Sequence, residues 1–64
     1  MTKFEEERIE FIKKGIEYNV KELNFNNQDI AIWLDGIMFI ESDCSEEYFE
    51  TLENLRNLYM GGIL

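Results

Sequence analysis

The chain has 64 residues, 45% of them hydrophobic, with 14 acidic against six basic side chains and a formal net charge of −8. That length supports one domain at most, and a domain so small buries only about 60% of its unfolded surface. One cysteine, Cys44, and no histidine exclude an internal disulfide and the usual four-ligand structural zinc site, while the acidic balance disfavours nucleic acid and anionic membrane as direct partners, because phosphate is bound by Lys and Arg.

A first helix is expected from about Lys3 to Leu23. Thr2 is a suitable N-cap, and Glu5, Glu6 and Glu7 suit the positive end of the helix dipole. Glu10/Lys14 and Glu17/Lys21 are i,i+4 pairs in the favourable order. At about 100° per residue, Ile9, Ile12, Ile16, Val20 and Leu23 make one aliphatic stripe. Phe4, Phe11 and Tyr18 recur every seven residues and make a second stripe on nearly the opposite side. Gly15, beside it, costs roughly 1 kcal/mol against Ala in a helix interior and suits a close approach by a neighbouring backbone. Asn24 to Gln28 reads as a loop, since Asn tolerates left-handed backbone and bonds locally.

The strongest local pattern lies between Asp29 and Ser42. Two β-forming runs, Ile30 to Leu34 and Ile37 to Glu41, flank Asp35-Gly36, the dipeptide favoured in a type I′ hairpin turn. A two-residue turn would pair Leu34 with Ile37, Trp33 with Met38 and Ile32 with Phe39, leaving both faces of the hairpin apolar. A second helix is expected from about Ser45 to Met60. Asp43-Cys44-Ser45-Glu46 resembles a capping box, Tyr48, Leu52, Leu55 and Tyr59 form its apolar stripe, and Gly61-Gly62 ends it. Ile63-Leu64 is a short apolar tail. The expected fold class is therefore α+β: one domain over residues 1–64, helix–hairpin–helix, with a two-stranded antiparallel sheet over about 29–41 turning at 35–36.

Charge is distributed unevenly. Residues 1–21 hold five acids and five bases, whereas residues 22–64 hold nine acids and one base, Arg56. On the second helix Glu46, Glu50 and Glu53 fall within about 60° of one another, opposite the apolar stripe. With Glu41, Asp43 and Glu47 beside them they form a candidate docking face for a basic protein surface, reached with electrostatic steering. The same acids also keep a small apolar protein dissolved. Phe4, Phe11, Tyr18 and Trp33 are the candidate apolar contacts, toward a partner or a second copy, since aromatics are enriched at interface centres; Trp33 serves equally as a core residue of the hairpin.

Nothing in the sequence supplies a catalytic set. There is no histidine for general-base work, no Ser/His or Cys/His arrangement and no Gly-rich phosphate loop. Cys44 has no adjacent His or Lys to activate it. No EF-hand spacing is present, so no metal and no cofactor is expected. No apolar run reaches the ~20 residues needed to span a bilayer and no signal-peptide pattern opens the chain, which fits a reducing cytoplasm. Six Asn against one Ala, with no Pro, fit an AT-rich bacterial or phage coding sequence. The expectation is a non-enzymatic inhibitor or modulator. It would imitate a nucleic acid and occupy a basic surface on a DNA- or RNA-acting protein, as phage-type counter-defence proteins such as anti-CRISPRs do in a host cytoplasm. The alternative is a homodimeric regulatory or adaptor module that binds through its aromatic surface.

Overall fold

A computed structural model describes residues 1–41 and 44–61 of the chain. The described residues form three helices, α1 (Lys3–Leu23), α2 (Asn27–Ile40) and α3 (Glu46–Gly61), and no strand. The expected hairpin and its two-stranded sheet are not there. The segment that would have turned at Asp35-Gly36 is one uninterrupted helix, and the molecule is an all-helical bundle.

The reason lies in two signals that compete with the Asp-Gly turn. Asn26 and Asp29 form a reciprocal capping box. The Asn26 side chain accepts from the Asp29 N–H at 2.8 Å, and the Asp29 carboxylate accepts from the Asn26 N–H at 3.1 Å. That pairing satisfies two donors a helix start leaves orphaned. Ile30, Leu34 and Met38 also recur at helical spacing. All three are buried, Ile30 and Leu34 completely. A helix packs that stripe into the cleft between its neighbours, whereas an isolated two-stranded hairpin is marginal in water. β-Propensity is decided by packing context, and here the context favours the helix.

α1 starts on a full capping box between Thr2 and Glu5 and ends on Asn24, the one non-glycine residue with positive φ (57°) among those described. The left-handed turn lets the Phe25 N–H reach back to the Asn19 carbonyl at 3.1 Å and tips Phe25 against the core. At the start of α3 the Ser45 hydroxyl accepts from the Tyr48 N–H at 3.2 Å, the contact of an N-cap. Asp43 and the expected helix stop at Gly62, with the Ile63-Leu64 tail, lie outside the described residues.

The core is Ile9, Ile12 and Ile16 of α1, Ile30, Leu34 and Met38 of α2, and Tyr48 and Leu52 of α3. α2 and α3 pack closely along their length, and α1 closes over them. Gly15 admits a side chain rather than a backbone. A methyl group there would lie 2.9 Å from Cη2 of Trp33, so the indole of α2 sits directly on the bare turn of α1. Asn19 is one of two buried polar residues of α1, with Glu5, and its amide nitrogen has no hydrogen-bond partner among the described residues.

Candidate functional site

Two surfaces stand out, one acidic and one apolar. α3 turns Tyr48 and Leu52 into the core, with Leu55 and Tyr59 half-buried behind them. Its opposite face carries Glu46, Glu50 and Glu53, all exposed, one above another at 3.6 residues per turn. Arg56, on the same helix, is directed mainly at α2 and touches only the end of this row. Its guanidinium donates to Asp35 on α2 at 2.7 Å and to Asn57 at 3.2 Å, and comes within 3.8 Å of Glu53. Glu46 and Glu50 have no ion pair among the described residues. Glu47, on the flank, pairs with the Met1 amino group, and that pairing raises the amine's pKa.

The other acidic positions are used differently. Glu41 follows α2 and takes both the Arg8 guanidinium from α1 and the Tyr48 hydroxyl from α3. It is a joint between three helices, and its charge is spent inside the molecule. Asp43 lies outside the described residues. The structure thus brings Glu46, Glu47, Glu50 and Glu53 to one helix surface and sets Glu41 apart from them.

Sequence reasoning did not anticipate Glu5. It is 7% exposed, and its carboxylate accepts from the Thr2 N–H at 3.1 Å, the Ser45 N–H at 3.0 Å and the Ser45 hydroxyl at 2.9 Å. One side chain therefore caps α1 and holds the start of α3. The backbone N–H groups of Ser45 and then Thr2 hold its pKa below the ordinary glutamate value, against the opposing effect of burial. The Thr2-x-x-Glu5 spacing signals the first role; nothing local signals the second.

The apolar surface begins on α1. Phe4 and Phe11 are each 68% exposed and Tyr18 is 58% exposed, so the heptad stripe points to solvent along nearly the whole helix. Trp33 is half-buried on Gly15, beside that stripe. α2 adds an outer ridge that the hairpin expectation concealed: Ile32, Gly36, Phe39 and Ile40, at i, i+4, i+7 and i+8. Phe39 is 84% exposed, Ile40 is 78% exposed, and a methyl group at Gly36 would meet nothing within 4 Å. Reading residues 27–40 from the Asn26/Asp29 capping box would have revealed it.

A groove runs between α2 and the end of α3, lined by Ala31, Ile32, Asp35, Tyr59 and Met60 among others. Its one titratable carboxylate, Asp35, is engaged by Arg56. Among the described residues no three Cys, Asp or Glu side chains converge as a metal site would require, and no helix is long and apolar enough to cross a membrane. Cys44 packs half-buried against the core. No protein-family model, no curated protein and no solved structure matches the chain significantly.

Proposed function

We propose that the protein is a small binding module whose α3 docks on a basic surface of another protein, in the manner of an acidic inhibitor or modulator that takes the place of a nucleic-acid strand. The observation that carries this reading is the row Glu46, Glu50 and Glu53. These are three exposed carboxylates on one face: Glu46 and Glu50 have no ion pair among the described residues, and Glu53 shares Arg56 with Asp35 of α2, the closer partner. Like charges at i,i+4 destabilise a helix by a few tenths of a kcal/mol, so the row serves no purpose within the fold beyond solubility. A spaced line of carboxylates offers a Lys/Arg-rich groove the same charge-assisted contacts that phosphates offer. Association through it is electrostatically steered and falls with salt.

The test reverses the row. Wild type and E46K/E50K/E53K are immobilised, proteins are captured from host extract at low salt, and the bound fraction is challenged with duplex DNA and with salt. A partner held by wild type, lost from the triple variant and displaced by DNA supports docking in place of nucleic acid. A partner retained equally by the triple variant sinks the proposal. All three side chains are exposed, so circular dichroism should show an unchanged helical fold.

A further inference from the structure

We infer that α1 is the seam of a homodimer, in which two copies pair antiparallel through Phe4, Phe11 and Tyr18. The proposal concerns a surface distinct from the α3 row and does not depend on it. Two features of α1 point to a second copy as the occupant, and a third bounds the strength of the contact.

The first is the spacing. A seven-residue repeat keeps Phe4, Phe11 and Tyr18 in one line along α1, with the charged Glu7 and Lys14 at the intervening positions, so the seam is a single aromatic row. Phe11 is the midpoint of the three aromatics, so a two-fold axis through it sets Phe11 against Phe11 and Phe4 against Tyr18. A single patch then meets itself, as a two-fold interface requires.

The second is charge. Glu7 and Lys14 line the same shallow groove as Phe11 and have no ion pair among the described residues. With the two-fold at Phe11, Glu7 of one copy lies level with residue 15 of the other, about 1.5 Å of helix rise from Lys14. Glu7 and Lys14 of the two copies thus form two equivalent opposite-charge pairs flanking the aromatics. In a parallel pairing Glu7 would face Glu7. The α2 ridge offers no such match, because Asp29 and Asp35 flank it and α2 has no base, so self-pairing there would oppose carboxylates.

The third is area. At about 200 Å² for each aromatic side chain, the observed exposures leave roughly 400 Å² to bury per copy before the flanks are counted. Two copies give about 800 Å², short of the ~1,200–2,000 Å² of a stable specific interface. The dimer is therefore a weak, reversible one.

Sedimentation equilibrium of the full chain between roughly 5 and 500 µM tests this. The mass should rise from monomer to dimer. Phe11→Ala should weaken association at least tenfold with helicity unchanged. Glu7→Lys and Lys14→Glu should each weaken it, and the double swap should restore it. A monomer across the whole range would overturn the proposal. So would a dimer indifferent to Phe11→Ala, or a double swap no tighter than the single ones, which would exclude the antiparallel register.

Discussion

Two glycines in helix interiors make opposite predictions. Gly36 faces open space, so Gly36→Ala should relieve the entropic cost of a helical glycine and stabilise the protein by roughly 0.5–1 kcal/mol. Gly15→Ala would gain the same propensity, but its methyl group must displace the Trp33 ring, at 2.9 Å and 3.3 Å from two ring carbons. The indole is rigid, and overpacking of this kind costs about 1–3 kcal/mol, so this variant should come out less stable by about 1 kcal/mol. Urea denaturation of the pair measures both. If Gly15→Ala were as stabilising as Gly36→Ala, Trp33 would not be seated on that turn.

At the scale of elements, Glu5 joins two helix starts. Above pH 4.5 the carboxylate is charged in both folded and unfolded chains, and the native state alone holds it with backbone donors of Thr2 and Ser45. Its lowered native pKa means that, as pH falls below that value, the unfolded chain takes up the proton first and this contribution is lost. Glu5→Gln should therefore lower Tm at pH 7, and the difference from wild type should shrink as pH falls through and below 4.5. A difference that stays constant over that range would mean that the charge of Glu5 is not what holds the joint.

The elements differ in how plainly the sequence announces them. Thr2, the glutamates after it and the spacing of Ile9, Ile12 and Ile16 are local features, and they suffice to read α1. Tyr48, Leu52 and Leu55 do the same for α3, although its cap is Ser45. α2 misleads because Ile, Trp and Phe around Asp-Gly favour a hairpin when considered alone, whereas the Asn26/Asp29 capping box and the i, i+4, i+8 spacing of Ile30, Leu34 and Met38 favour a helix, and the cleft between α1 and α3 decides between them. The candidate site divides along the same line. Exposure of Phe4, Phe11 and Tyr18 follows from a helix having two stripes and one core. The internal role of Glu41 depends on Arg8, far away in sequence, and no local pattern reveals it.

For the whole molecule, the formal charge of −8 is a standing self-repulsion. Glu46→Gln, Glu50→Gln and Glu53→Gln together take it from −8 to −5 and remove an i,i+4 repulsion on α3. Glu53 also gives up its i,i+3 contact with Arg56, so the relief of net charge should leave the triple variant more stable than wild type by no more than a few tenths of a kcal/mol, and the gain should fade in about 1 M salt, where the screening length is about 3 Å. Thermal melts at low and high salt would show it. Equal melting at both ionic strengths would mean that the row is not a cost to the fold, and would remove one support for its use in docking.

Trp33 is the sole tryptophan of the chain, and it rests on α1 while belonging to α2. The protein therefore carries its own optical gauge at one internal joint. Its emission reports on the contact of α1 with α2 and is blind to fraying at the far end of α3. The ring also borders the aromatic stripe, so a copy settling on Phe11 and Tyr18 would change the water around the indole. A spectral shift with concentration, at constant helicity, would register assembly without any label.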